Sequence, residues 1–234
     1  MIKRIAKSIA NVINNEQCRR EYQQQDFRWV NERAIEYGFL FNVLTRIVVR
    51  DILDVGTGTT ALPHLLRTCG YVVTAMDNIR DYWPKGMANR HFHVINDDIT
   101  KPKMEKAFDL VTCISVIEHI VDSGVAVTNM FRLLRPGGYL VLTCPYSESH
   151  YARNVYALPE ASYGKENPYV CQVYSRAQID DWQGQNNLHI LEQEYWRIFS
   201  GELWTFGEQI YPREQVSQGD PHHLTCLLFQ KGKE

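Results

Sequence analysis

Asp54, Gly56 and Gly58 stand close together in the stretch Asp51–Leu66, DILDVGTGTTALPHLL. Their types and spacing suit the capture of a charged ligand against bare backbone. Ile52, Leu53 and Val55 form a short apolar run before the glycines, and Ala61, Leu62, Leu65 and Leu66 recur after them at helical spacing. Strand, tight turn and helix in that order bring a ligand to backbone N–H groups and a helix N-terminus. Gly56 and Gly58 permit positive φ and put no Cβ in the ligand's way. Pro63 falls in the first turn of the helix, where its missing N–H is an orphan in any case. Gly56-x-Gly58-x-x-Ala61 also fits the dinucleotide pattern G-x-G-x-x-G/A, which by itself is weak. Asp54 separates the ligand classes: a carboxylate beside the turn repels a pyrophosphate in a partly desolvated site and attracts an amino group.

S-adenosylmethionine carries an ammonium, a sulfonium and a ribose, and no phosphate, so Asp54 suits it. The stretch resembles motif I of the class I S-adenosylmethionine-dependent methyltransferases, D/E-x-G-x-G-x-G. Asp54, Gly56 and Gly58 are in place, and Thr60 stands where the third glycine usually sits. The next apolar run, Tyr71–Asp77 (YVVTAMD), ends in an acid about 20 residues after the turn, where one carboxylate can hold both hydroxyls of a ribose. Its structural alternative is a strand-end turn former. After a short strand over His91–Asn96 come Asp97, Asp98 and Ile99. The resemblance aligns Asp98 with the acid that accepts the adenine amino group and Ile99 with the residue beside the ring. Asp97 takes the first role if the strand slips by one, and two solvated turn aspartates are the plain alternative.

Phe108–Ser115, FDLVTCIS, is nearly continuous in apolar residues, as a strand covered on both faces should be. SVIEHI follows over Ser115–Ile120, then a helical stripe of Val125, Met130, Phe131 and Leu134, a stop at Arg135-Pro136-Gly137-Gly138, and a strand over Tyr139–Cys144. FDLVTCISVIEHI…LLRPGGYLVLTCP is similar to the corresponding part of small-molecule methyltransferases, including those of quinone and glycan biosynthesis. The resemblance covers about Ile47–Pro145. It implies a cofactor site of Asp54, Gly56, Thr57, Gly58, Asp77, Asn78, Asp98, Ile99 and Ser115. It also places the loop carrying His119 opposite the cofactor's methyl, making His119 the leading general base, with His150 and Tyr146 as second candidates for base or acceptor-positioning work; the plain alternative is that His119 only caps the helix or packs beneath the cofactor. Glu118 either starts a helix or contacts substrate. No metal site is expected.

The elements that must position these groups alternate strand and helix through residue 144, which implies a parallel, doubly wound α/β sheet with helices on both faces. The resemblance adds a last antiparallel strand, giving seven strands in the order 3-2-1-4-5-7-6, with Leu224–Phe229 as strand seven. Residues 1–45 read as an N-terminal helical extension or lid, and 46–234 as the methyltransferase domain, with substrate-side insertions at about 145–174 and 197–223. Ile2, Ile5, Ile9, Val12 and Ile13 lie at helical spacing with Lys3, Arg4 and Lys7 between them. Docking on the domain or a partner subunit is the plainer reading, and membrane-surface contact through residues 1–13 the second. Glu16–Gln25 fits an exposed helix or a linker, and Phe27–Val49 a helix whose apolar face includes Trp29, Val30, Ala34, Tyr37, Phe41 and Leu44. Asn78–Arg90, with Trp83, Pro84 and Gly86, reads as irregular or only briefly helical. Ser175-x-x-Gln178 is a capping box opening a helix to about Gln185, and Leu188–Phe199 a strand. The two long connections, Tyr146–Tyr169 and Ser200–His223, are rich in aromatics, which fits either functional loops or a cover for the sheet edge.

The 234 residues suffice for one sizeable core. A net charge of −2 with no block of like charges advertises no nucleic-acid-binding surface. The six cysteines include no C-x-x-C pair and fit a reducing cytoplasm. No apolar run reaches bilayer-spanning length. The sequence therefore predicts a cytoplasmic enzyme that methylates a small molecule from S-adenosylmethionine, with O-methylation of a sugar or glycan precursor as the first choice. The alternatives are a tRNA or protein methyltransferase, a non-catalytic S-adenosylmethionine-binding protein, and a nicotinamide oxidoreductase, which Asp54 opposes.

Overall fold

Three apolar strands set the frame. Asp51–Val55 (β1) is buried along its whole length, Phe108–Ile114 (β4) at every residue but one, and Leu224–Lys231 (β8) over its first six. Strands so covered belong in the middle of a sheet with helices on both faces. A computed structural model of the chain, describing residues 2–25, 31–79 and 89–233, places them there. With Val72–Asp77 (β2), Val94–Asn96 (β3), Leu134–Pro145 (β5), Leu188–Phe199 (β6) and Gln209–Val216 (β7), they form one sheet in the order β3-β2-β1-β4-β5-β8-β6-β7. The pairs from β3 to β5 are parallel, and β8 runs antiparallel to both β5 and β6. This is the expected seven-strand order with one strand added at the edge.

The added strand is β7, which lies inside the expected connection Ser200–His223. Its sequence, QIYPREQV, is mostly exposed and contains Pro212. Proline inside a strand is tolerated at an edge, where no neighbour needs its N–H. The strand owes its existence to pairing with β6 (Tyr195↔Val216, Trp196↔Gln215, Arg197↔Glu214) rather than to an apolar pattern.

The chain divides into two compact units, residues 1–35 and 36–234. The first contains the helix Ile2–Gln23 (α1), which carries the ion pairs Glu16–Arg19 and Glu16–Arg20 at 3.7 and 3.3 Å. Arg33–Leu44 (α2) is shorter than the expected helix over Phe27–Val49. The β-branched run Ile47-Val48-Val49 follows its end. Trp29 and Val30 of that expectation, and Trp83, Pro84 and Gly86 of the irregular stretch, lie outside the described residues.

Leu62–Thr68 (α3), Ser123–Arg132 (α4) and Arg176–Asn186 (α5) complete the helices named here. Ala126, Val127 and Met130 of α4 and Ile179 and Trp182 of α5 share a core with Leu53, Val55, Val111, Cys113, Leu140 and Leu142 of the strands. The capping box at α5 is present: Ser175 N–H donates to Gln178 Oε1 at 3.0 Å. α4 ends at Arg132 with Leu133 as its C-cap, ahead of the expected stop at Arg135-Pro136-Gly137-Gly138, so Leu134 leaves the expected helical stripe and the strand begins earlier than Tyr139. Leu134 pairs with Phe108 and Tyr139 with Leu110, so the Arg-Pro-Gly-Gly segment is an irregularity within β5.

The N-terminal ends of the strands are locked by charge. Asp51 accepts from Lys106 Nζ at 3.2 Å and from Arg135 Nη1 and Nη2 at 3.2 Å, while Asp109 Oδ2 takes the N–H groups of Arg50 and Asp51, both at 2.9 Å. The Lys106 hydrogen bond, opposed by burial and helped by Arg135, holds the Asp51 carboxyl below the usual range. The opposite edge, at the carboxyl ends of the parallel strands, is left for the site.

Candidate functional site

The turn after β1 takes the form its glycines allow. Gly56 sits at φ +72 and Gly58 at φ +54, and the N–H groups of Gly56 and Thr57 donate to Met76 O at 2.9 and 3.3 Å. A Cβ on Gly56 would overlap the Val116 side chain, 2.9 Å from its Cβ and nearer to both methyls. One on Gly58 would meet nothing closer than Asp77 Oδ2 at 3.9 Å. Gly56 is thus demanded by packing, whereas Gly58 keeps space open above the turn.

Asp54 is buried, with Oδ2 accepting from Thr57 Oγ1 and Oδ1 from Thr112 Oγ1, each at 2.7 Å. It fixes the turn to β4 from below and puts a negative charge under it. Asp77, at the end of β2, accepts the Gly58 N–H on Oδ2 at 2.6 Å. The sequence-expected ribose acid and the glycine turn are therefore brought together. Asn89 pins the same turn from the far side, donating to Gly58 O at 3.0 Å and Thr60 O at 2.8 Å. Asn78 follows Asp77 directly at the strand end.

At the next strand end the two aspartates have different surroundings. Asp97 is nearly buried and accepts the N–H groups of Asp98, Lys103 and Met104 at 3.0–3.2 Å, which uses both its oxygens to shape the turn. Asp98 is more open, with Oδ1 accepting from Thr100 N and Oγ1 at 2.9 and 2.7 Å. Ile99 is buried in the core, and its carbonyl receives Asn129 Nδ2 at 2.9 Å.

Ser115 closes β4 at φ +48, a left-handed conformation uncommon outside glycine. Its N–H donates to Thr143 Oγ1 at 3.0 Å and its hydroxyl to Glu36 Oε1, which also accepts from Thr143 Oγ1 at 2.6 Å. Glu36, fully buried on α2, is a site residue that the sequence reading passed over. Its signal was there: an acid in the middle of the apolar run of AIEYGFLF.

A 3-10 turn over Ile117–His119 comes next. The segment Val170–Tyr174 is stitched to it: Gln172 N–H donates to Glu118 O at 2.9 Å, Gln172 Nε2 to Ile120 O at 2.7 Å, and Tyr174 Oη to Ile117 O at 2.7 Å. His119 Nδ1 lies 2.7 Å from Val170 O, and a carbonyl can only accept, so Nδ1 bears the proton. Its Nε2 is 3.9 Å from Glu118 Oε1, and Tyr169 packs edge-on at 4.6 Å. His150 is exposed, with Nδ1 2.9 Å from Ser149 Oγ. Tyr146 is fully buried and its hydroxyl donates to Glu148 Oε2 at 2.8 Å. Burial, then that hydrogen bond, pushes its pKa far up, so at neutral pH it is a donor and packing group.

Aromatic rings continue from His119 along the loops. Tyr169 neighbours Tyr156 at 6.4 Å, Tyr156 neighbours Tyr163 at 6.3 Å, Tyr163 neighbours Phe199 at 5.9 Å, and Phe199 meets Trp204 at 5.1 Å. Among the described residues, no group of three or more His, Cys, Asp or Glu could hold a metal ion, and no helix is long and apolar enough to cross a membrane.

A family model described as a methyltransferase domain matches residues 15–193. The ubiquinone biosynthesis O-methyltransferase of Pseudomonas putida (strain GB-1) is 27% identical over 119 residues, 47% of this chain and 46% of that protein. That of Pseudomonas paraeruginosa (strain DSM 24068 / PA7) is 28% identical over 161 residues, 65% and 60% of the two chains. The chain thus spans about half the length of the first of these relatives. Among solved structures, the 1,6-didemethyltoxoflavin-N1-methyltransferase of Burkholderia thailandensis, bound to 1,6-didemethyltoxoflavin and S-adenosylhomocysteine, superposes with a TM-score of 0.57. It is 14% identical, with 97% of this chain and 90% of that one covered. At that identity the likeness is one of fold.

Proposed function

The chain belongs to the methyltransferase-domain family, and from that premise we propose that it transfers a methyl group from S-adenosylmethionine to an oxygen of a small molecule. The observation that carries this reading is the turn between β1 and α3: two glycines at positive φ, a buried carboxylate beneath them, and Asp77 on the Gly58 amide. A ribose suits Asp77, an adenine amino group suits the half-open Asp98, and the cationic end of the cofactor suits the side of the turn where Asp54 and Glu36 are buried. Gly56, Thr57, Gly58, Asn78, Ile99 and Ser115 would line the same path. A pyrophosphate would meet negative charge at every step. The cofactor supplies its own electrophile, so the protein has chiefly to align the acceptor and exclude water.

Within that reading, His119 is the proton acceptor. Val170 O holds its Nδ1–H and so leaves Nε2 as the basic nitrogen. His150 and Tyr146 then serve in positioning. A sugar hydroxyl is the first candidate acceptor, supported by the row of aromatic rings beside His119, whose faces suit a pyranose. A phenolic hydroxyl is the second reading, favoured by the names of the Pseudomonas relatives. The N-terminal helix as a cover for the site, and a cytoplasmic place of work, belong to the same proposal.

Two measurements test it. Calorimetry should show binding of S-adenosylmethionine and S-adenosylhomocysteine but not of NAD; the reverse order would refute the cofactor assignment. Incubation with methyl-labelled S-adenosylmethionine and fractionated cell extract should label a small molecule on oxygen. Label confined to tRNA or protein would refute the acceptor class.

A further inference from the structure

His222 lies on the connection that leads into β8, whose first residue, Leu224, pairs with Pro145 at the end of β5. It therefore lies at the same end of the sheet as Ser115, two strands along and further out along the strand direction, with a sideways offset of roughly 10 Å at ordinary strand spacing. It is 5% exposed. Its Nδ1 is 2.7 Å from Asp220 O, which as a carbonyl can only accept, so Nδ1 carries the proton. Burial, chiefly, keeps the ring neutral by lowering its pKa; the Asp220 carbonyl and Glu148 oppose that shift and Arg176 adds to it. Nε2 is then a bare lone pair, and it is buried without a hydrogen-bond partner.

The neighbouring hydroxyls bond to groups other than this nitrogen. The Tyr146 ring stacks on the imidazole at 5.4 Å and 8°, and its hydroxyl donates to Glu148. Tyr195 packs at 4.9 Å, and its hydroxyl accepts from Arg176 Nη2 at 2.9 Å. Arg176 also bonds Glu148 Oε1 at 3.2 Å and Gln193 Oε1 at 2.8 Å. Glu148, Arg176 and Tyr195 are partly exposed, so the cluster runs from the buried imidazole to the surface. The adjacent His223 shows the contrast: its Nδ1 accepts from Ile198 and Phe199 N–H groups at 3.1 and 3.3 Å, and its Nε2 lies 2.9 Å from Gly201 O. His223 is fully used by the fold; His222 keeps one strong acceptor in reserve. A buried acceptor without a donor bears its full desolvation penalty, which a donor on a ligand would remove.

We propose that His222 Nε2 is a specificity site for the methyl acceptor, receiving a hydrogen bond from a second hydroxyl or N–H of the molecule whose first oxygen is methylated. The substrate is accordingly a compound with at least two donors (a polyol, a polyphenol or an amino analogue of either) rather than one with a single donor. This rests on the methyl-transfer reading, and its recognition role is separate from proton removal at His119.

The test uses His222→Asn, whose side-chain amide can keep the hydrogen bond to Asp220 O while deleting Nε2. With the small molecule labelled in extract as substrate, the variant should raise KM roughly 10-fold, leave kcat and S-adenosylmethionine affinity near wild type, and unfold at an unchanged urea midpoint. His119→Ala should do the reverse, lowering kcat. The labelled product should retain at least one free hydroxyl or N–H. A product without any, or an unchanged KM in His222→Asn, overturns the proposal. A readout independent of turnover comes from nitrogen-15 NMR of the wild-type protein. Nε2 should be unprotonated at pH 7, and an Nε2–H tautomer overturns the proposal even if no labelled product is found. Failure to bind S-adenosylmethionine at all refutes the methyl-transfer reading instead.

Discussion

Gly56 and Gly58 share a sequence motif and a positive φ, yet the structure gives them different burdens, and alanine at each position separates the two. A left-handed conformation costs a residue with a Cβ about 1–2 kcal/mol, and both substitutions incur it. At Gly58 the new methyl has open space, with Asp77 Oδ2 at 3.9 Å its nearest neighbour. At Gly56 it enters the volume of Val116, whose Cβ would be 2.9 Å away. Val116 is β-branched, stiff about χ1 and packed on the core, so it cannot simply swing aside. Overpacking of this kind costs a further 1–3 kcal/mol or so. Gly56→Ala should therefore destabilise by about 2–5 kcal/mol and Gly58→Ala by about 1–2. Urea unfolding followed by tryptophan fluorescence gives both values. A double variant adds the decisive arm: Val116→Ala in the Gly56→Ala background removes the two overlapping methyls while keeping the Cβ, and should recover part of that overpacking cost. Equal losses at the two glycines, or no recovery from Val116→Ala, would show that the turn relaxes and that the packing argument is wrong.

Asp77→Ala should weaken S-adenosylmethionine and S-adenosylhomocysteine binding by about 1.5–3 kcal/mol in calorimetry, the worth of hydrogen bonds to a charged group; an unchanged affinity would remove Asp77 from the site. His119→Ala should lower kcat about 10²–10⁴-fold with cofactor affinity intact, and normal turnover would move the base elsewhere. Burial lowers the pKa of both His222 and His223 below the unfolded value of about 6.5. Between the folded and unfolded values the unfolded chain binds more protons, so this contribution to stability is present above about pH 6.5 and is lost as pH falls through it. The urea midpoint should be lower at pH 5.5 than at 7.5, and replacing both histidines should flatten that difference; an equal or higher wild-type midpoint at pH 5.5 would contradict the burial argument.

Where residues act through their neighbours in sequence, the sequence was sufficient. The apolar runs of β1, β4 and β8, the glycine turn, the Asp77 strand end and the capping box at Ser175 all follow from local pattern, because strand burial, φ > 0 and helix capping are decided within a few residues. The contacts that give the site its character span much longer separations. Glu36 reaches Ser115 and Thr143, and Val170 fixes the tautomer of His119. β7 has no apolar alternation of its own and exists through its ladder with β6. His222 and His223 are identical in type and adjacent in sequence, yet one is saturated by backbone and the other keeps a bare nitrogen. Which donors reach a buried imidazole depends on the strands and loops folded around it, and only the tertiary structure decides that.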